Sequence, residues 1–538
     1  MTKKLPPSFD SFPFFSTVLL IAYLCLGFVP NLQAVDKIAP QWVGMTLLNL
    51  ISLSIFIYYN KSIQTVVAQV LTSFLSLFYI GFILWAGLSY FYAINPTEVL
   101  VNITRQVNVL FMFLSMAVLL FNINNKSRFI SWTLSIVLSI EIYAVLAEAL
   151  EMINSAGVIS SGALKGVTAN RNITAFSIAI KIPFVLYLIG SLKKTSFKVL
   201  FTTVIFLALL SLSMIQSRAS FIAVGLITIG YSIWQVIIYL KHTKSKKSLL
   251  SIGYIVVPLL LAIAVNQTAI ASKGADALSR AATISISAQD GSVNQRLRYY
   301  KDVFTHLSAH PIFGTGLGNW KLKSIEYDSK DITGYVVPYH AHSDFIQLGA
   351  ELGIIGFLNY LGIFLWAVYY VFAIIRHSKS SAEEKTFVFL LLVALGVYSV
   401  DANLNFPIAR PQVLVVWAAI MALIVSYYQK HKGAITELKP KPFLTPVFLS
   451  LALMCLLPSL VVTTKVYQSL KGQMFLLQDF NSNQFNVPLN QVDTLVPEIP
   501  NITVTTIPIN SLKARYYVNA KQYDKALALL HKGTKANP

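Results

Sequence analysis

Cysteine is nearly absent: 538 residues hold two, Cys25 and Cys455, each inside an apolar stretch. That excludes a disulfide framework and a cysteine metal site, and both read as small buried hydrophobes. Charge is scarce too, at 12% of residues. Neither His-Glu-x-x-His nor a paired-cysteine spacing occurs, so no zinc motif is present. The formal net charge is +20, yet no dense basic run interleaved with aromatics occurs, so a nucleic-acid partner is set aside. What fills the chain is hydrophobic: 55% of residues, with mean hydropathy +0.64. Many stretches reach the ~20 residues needed to cross a bilayer. The fold class expected is an all-α polytopic membrane protein, surrounded by lipid.

Twelve or thirteen spans are expected, centred near Ala22, Ile51, Tyr79, Leu114, Glu141, Ile182, Leu207, Ile227, Leu259, Leu365, Leu392, Ala418 and Met454. Lys3 and Lys4 precede the first, and no small-x-small cleavage site follows it closely, so it reads as a retained helix. With the N-terminus inside, the cytoplasmic loops collect the basic residues, among them Lys193, Lys194, Lys198, Lys241, Lys244, Lys246, Lys247, Lys432, Lys439 and Lys441. The short outer loops hold Lys37, Arg105, Lys165, Arg171, Arg218 and Arg410. This is the asymmetry of the positive-inside rule. It sends two long segments outside, a loop over about 268–342 and a tail over 466–538, leaving 1–465 as the transmembrane domain.

The outer side then receives the chemistry. His340-Ala341-His342-Ser343-Asp344 stands at the mouth of a span. Imidazole exchanges a proton near neutral pH, so a histidine at the water–lipid boundary is a candidate general base; a hydrogen-bonded interfacial histidine is the plainer role. Arg218, in Gln216-Ser217-Arg218-Ala219-Ser220, lies between two spans with almost no loop. Arginine so close to hydrocarbon is costly unless paired or functional, and guanidinium matches phosphate oxygens. Arg218 and Arg296 are therefore candidates for holding a diphosphate, against simple snorkelling. Asn172, His340, Asp401 and Arg410 are candidate supports. No Asp-x-Asp lies on an outer loop, which favours chemistry without a metal or other cofactor, arginines serving in a cation's place.

Other features have structural readings. Glu141 and Lys181 fall at similar depth in consecutive spans and are expected to pair, since an unpaired charge there is expensive. A proton-coupled transport role is the sharper alternative. Asp290-Gly291-Ser292 reads as a helix start, followed by an amphipathic helix ended by Pro311. Gly314-Thr315-Gly316-Leu317-Gly318 lacks a following Gly-Lys-Ser/Thr and reads as a turn ahead of a phosphate cradle. Gly349, Gly353 and Gly356 read as close helix packing.

Four pieces, in this order and topology, resemble the bacterial O-antigen ligase and polymerase superfamily, which includes the protein O-oligosaccharyltransferases. They are Gly166-Val167-Thr168-Ala169-Asn170-Arg171-Asn172; Gln216-Ser217-Arg218; Asn294-Gln295-Arg296-Leu297-Arg298-Tyr299-Tyr300 with His310-Pro311 after it; and His342-Ser343, nine residues, then Gly353-Ile354-Ile355-Gly356. The resemblance implies a bacterial inner-membrane enzyme with a periplasmic site. Its donor would be an oligosaccharide on undecaprenyl diphosphate, and its acceptor a hydroxyl of lipid A-core or of protein Ser/Thr. It implies His342 as base, with His340 the alternative, Arg218 and Arg296 on the diphosphate, and metal-free transfer with inversion. A polymerase joining lipid-linked repeat units is the alternative within this chemistry.

A polytopic transporter or flippase is the alternative from another class. Against it, mid-membrane charges are few and no inverted repeat is evident. A scaffold would leave the edge arginines and the histidine motif unexplained. In the tail, residues about 511–538 contain Tyr523-Asp524-Lys525-Ala526 and end in Pro538, resembling a single tetratricopeptide-like helical hairpin. One such repeat cannot bury its own face, so it docks elsewhere or is accompanied by more helix.

Overall fold

A computed structural model of the chain describes residues 11–284, 291–329, 338–431 and 443–538. Lys3, Lys4, Asp290, Lys432, Lys439 and Lys441 lie outside the described residues. All thirteen expected centres fall in helices, and twelve helices are long and apolar enough to cross a membrane. The exception is the first, Phe12–Leu24. Its 13 residues rise only about 20 Å, short of the ~30 Å hydrocarbon core. The chain is an all-α, multi-pass membrane protein. Among the described residues no strand forms, only an isolated bridge between Ile502 and Pro508.

Burial sorts the spans. The windows of Arg171–Ser191 and Pro411–His431 are 94% buried and that of Pro96–Leu120 is 83% buried, against 17% for Lys246–Lys273. Three helices therefore form the centre, and others present Val257, Leu260 or Leu365 outward, as a lipid-facing surface does. Cys455 belongs to that outer surface, so the reading of both cysteines as buried is corrected; Cys25 is half-buried. In lipid the outward face need not be polar, so an apolar side chain carries little information on its direction.

The central span Arg171–Ser191 is two helices, Arg171–Ala179 and Ile182–Ser191, joined at Lys181. Its ammonium lies 2.8 Å from Glu141 and donates also to the Ser177 hydroxyl and carbonyl. Both charges are buried, and the expected pair is formed and fully hydrogen-bonded.

Helix packing through small residues occurs between Phe74–Leu88 and Asp344–Arg376. A Cβ on Gly362 would fall 2.1 Å from the Phe78 ring, and one on Gly81 2.7 Å from Asn359. The glycines at the start of the Asp344 helix do something else, which corrects the packing reading for Gly353. That residue has φ 66° and ψ −170° and interrupts the helix. The Pro311 carbonyl fills the gap, accepting from Ile354 N–H at 2.9 Å, and a Cβ at Gly353 would meet Ile312 O at 2.1 Å.

The long loop packs on the first turns of this helix. Its helices Gly291–Ala309 and Trp320–Asp328 are tied by Arg298 to Asp328 at 2.6 Å, and Val303, Trp320, Ala341 and Ala350 form a small core. The glycine-rich turn docks there too: Thr315 and Gly316 donate to the Ala350 and Glu351 carbonyls, and Gly318 N–H donates to the Glu351 carboxylate at 2.7 Å. The turn thus cradles the protein's own carboxylate.

Helix Leu444–Ser482 runs through 465 unbroken. Beyond it, helices Ile509–Asn519 and Tyr523–Ala536 pack together through Ala514, Tyr517 and Ala526. The tail returns to the bundle, where Asn95 donates to Asn501 at 2.8 Å and to the Ala536 carbonyl at 2.9 Å.

Candidate active site

His342 sits just ahead of the Asp344 helix, whose N-cap is Ser343. Its φ of 56° is left-handed, a conformation uncommon for a side chain larger than glycine. Ser343 accepts from Ile346 N–H, Tyr300 donates to the His342 carbonyl at 3.3 Å, and Asp344 accepts from Ile408 N–H at 3.0 Å. These contacts hold the unusual turn, and such held conformations cluster at functional sites. The half-buried imidazole is stacked on Tyr299, centroids 6.2 Å apart. Burial lowers its pKa first and the Arg296 guanidinium second, against a hydrogen bond with the Leu404 backbone. The neutral form, the one able to accept a proton, is favoured. Its Nδ1 is buried with no hydrogen-bond partner among the described residues.

Beside His342 lies a cavity of about 300 Å³, with Arg171, Arg218, Arg280, Arg296 and Asn172 on its walls. Two helix starts deliver three of these residues. Asn170 caps Arg171–Ala179 by accepting from Asn172 and Ile173 N–H. Gln216, at φ 55°, ends one span and Ser217 starts the next, so Arg218 occupies the first helical position. Helix N-termini and guanidinium groups both favour an anion. Arg280, from the short helix Ala277–Ala282, donates to the Gln216 carbonyl at 3.3 Å, and Arg218 donates to the Thr283 carbonyl at 3.2 Å. Arg296 donates to the Leu404 carbonyl at 3.3 Å, and His342, which does not itself line the cavity, neighbours both of these wall residues. Arg218, Arg296 and Asn172 thus share one cavity wall. Arg280 was not among the residues singled out from sequence, and Arg171 was noted as an outer-loop cation and within a motif, not as a site residue.

His340 and Arg410 belong to a different cavity, of about 400 Å³. The two cavities share no lining residue, and Phe406, which lines neither, touches residues on both sides. Its ring stacks on His340 at 4.2 Å, lies 5.0 Å from the Arg410 guanidinium and sits 6.1 Å from the His342 ring. Burial, and then Arg410, push His340 down to about 3, so it too is neutral. Asp401 reaches neither cavity. It is buried and accepts from the Asn405 side chain at 2.7 Å; Asn405 lines the arginine cavity, so Asp401 acts through it. Among the described residues no group of three or more His, Cys, Asp or Glu side chains is arranged to hold a metal ion.

Residues 203–361 match the family model described as O-antigen ligase. The match takes in Arg218, Arg280, Arg296, both histidines and Gly353. No curated protein matches the chain.

Proposed function

We propose that this chain, a member of the O-antigen ligase and polymerase superfamily through residues 203–361, transfers a glycan from an undecaprenyl-diphosphate carrier to an acceptor hydroxyl on the outer face of a bacterial inner membrane. One observation carries the reading: guanidinium groups from four separate segments line a single cavity, and His342 neighbours two of its wall residues, Arg296 and Leu404. A diphosphate is the anion that such a cavity suits, and a lipid carrier reaches a cavity built from span ends.

His342 takes the proton of the acceptor hydroxyl as that oxygen bonds to the anomeric carbon. The bond from that carbon to the diphosphate breaks, and its electron pair leaves with the diphosphate. Attack opposite the leaving group inverts the anomeric centre. The base need only share the proton at the transition state. Arg218 and Arg296, with Arg171 and Arg280, stabilise the charge gathering on the leaving group, a role a divalent cation fills in other transferases. Asp401 orients Asn405 on the cavity wall. The acceptor is a lipid A-core sugar, a protein Ser/Thr or a second lipid-linked unit.

The test is transfer by purified protein, with chelator present, from lipid-linked oligosaccharide to these three acceptors in turn. Transfer to one of them is expected, and Arg218→Gln with Arg296→Gln should weaken donor binding by about a hundredfold, as losing two charge-assisted contacts implies. Donor that is bound and never consumed with any acceptor would point to transport.

A further inference from the structure

The cavity lined by His340 and Arg410 shares no residue with the arginine cavity assigned to the donor, and it too gathers cations. Arg105, Lys321 and Arg410 reach it. Lys321 is paired with Glu98 at 2.6 Å. Arg105 and Arg410 have no ion-pair partner among the described residues. Each lies instead over an aromatic face, Arg105 at 5.6 Å from Trp42 and Arg410 at 5.0 Å from Phe406. Nε of Arg410 is buried with no hydrogen-bond partner. Burial pulls the Arg410 pKa down; Asp36 opposes this and Arg105 adds to it, so the two guanidiniums are neighbours.

The carboxylates on the same wall are already engaged. Asp344 accepts from Ile408 N–H at 3.0 Å, Glu351 from Gly318 N–H and the Gln347 amide, and Asp36 from Ile38 N–H at 3.2 Å. Asp36, on the same wall, is close enough to act on both guanidiniums but forms an ion pair with neither, and two neighbouring half-buried cations facing one cavity suit an anion from outside. The rest of the lining mixes Asn102, Gln106 and Gln347 amides with the apolar Leu317 and Leu348. Amides that donate and accept suit hydroxyl groups, and an apolar wall suits the C–H face of a sugar ring. Hydroxyls beside a C–H face are what a sugar presents, and the lining is read as a sugar site on that match.

We propose that this cavity is the acceptor subsite and binds a sugar bearing a phosphate or carboxylate, with Arg105 and Arg410 on the anion. The word acceptor rests on the transferase reading; the anionic-sugar site does not. A sugar seated there lies beside His340 and Arg410, both packed on Phe406, whose ring is 6.1 Å from that of His342.

Two arms separate these claims. In the first, the full chain in nanodiscs is titrated calorimetrically with a hexose 6-phosphate, the same hexose, inorganic phosphate and an acidic serine peptide. The hexose phosphate is expected to bind at least about tenfold tighter than each other probe, the worth of one charge-assisted contact. Arg410→Gln should lose about tenfold of that, Arg410→Lys should restore part of it, and lipid-diphosphate binding should not change. Equal binding of hexose and hexose phosphate, tighter binding of the peptide or of phosphate alone, or competition by lipid diphosphate would overturn the site. In the second arm, Arg105→Gln and Arg410→Gln should raise KM for a phosphorylated acceptor about tenfold and leave KM for its phosphatase-treated form unchanged. If the first arm holds and no glycan is transferred, the sugar site stands and the transferase reading fails. Transfer that is indifferent to both arginines overturns the acceptor role.

Discussion

At His342 burial and a neighbouring cation act on one imidazole in the same direction. Both favour the neutral ring, so its folded pKa lies below the ordinary 6.5. A base works unprotonated, and activity is therefore lost only as pH falls through that depressed value. The rate of transfer at saturating donor should be flat around pH 7 and fall on an acid limb below pH ~6.5, the unperturbed histidine value. Arg296→Gln removes the second cause and should move that limb upward. A limb at or above the ordinary value in the unaltered protein, or one that ignores Arg296, contradicts the assignment. His340, two residues away, does not share this position. His340 stacks on Phe406 and lines the other cavity, whereas His342 neighbours Arg296 of the arginine cavity.

At the scale of elements, the Asp344 helix places His342 by being broken. Gly353 opens the helix for the Pro311 carbonyl, and the loop that follows is pinned by Thr315, Gly316 and Gly318. Gly353→Ala would set a Cβ against two backbone carbonyls at a left-handed φ. A cost of about 2 kcal/mol or more is expected, seen as a lower unfolding temperature in detergent together with reduced transfer. Unchanged values for both would mean that the break is not needed. The Glu141–Lys181 pair belongs to a different element and holds the central span. Lys181→Met leaves a buried carboxylate and should cost roughly 3–5 kcal/mol, whereas Glu141→Gln with Lys181→Met should recover much of it. If the pair is structural, the double variant transfers glycan normally. Loss of all turnover in a stably folded double variant would favour the proton-coupled alternative.

For the whole molecule, the arrangement of spans was legible in the sequence because the bilayer fixes how long an apolar run must be. Glu141 and Lys181 were legible as partners because depth alone implied it. Arg218 and Asn172 were legible as polar residues at span ends, and Arg296 as a cation of the long loop. What was not legible depends on contacts between distant segments. Arg280 joins Arg218 only through the return of the loop to Gln216. Gly353 looks like a packing glycine until Pro311 is seen against it. Phe406, an ordinary aromatic in the sequence, joins the surroundings of two cavities, with Arg410 and His340 packed on its ring and His342 6.1 Å away. The direction of Cys455 was hidden because lipid tolerates apolar side chains on either face. The central claim is that His342 is the base and the arginines hold the donor, two separable roles. The most direct measurement is donor binding and transfer side by side for His342→Gln, with His340 intact. Donor affinity should stay within about twofold while transfer falls by roughly 10²–10⁴, the usual worth of a general base. A folded His342→Gln protein that transfers at a rate close to that of the unaltered chain would contradict it.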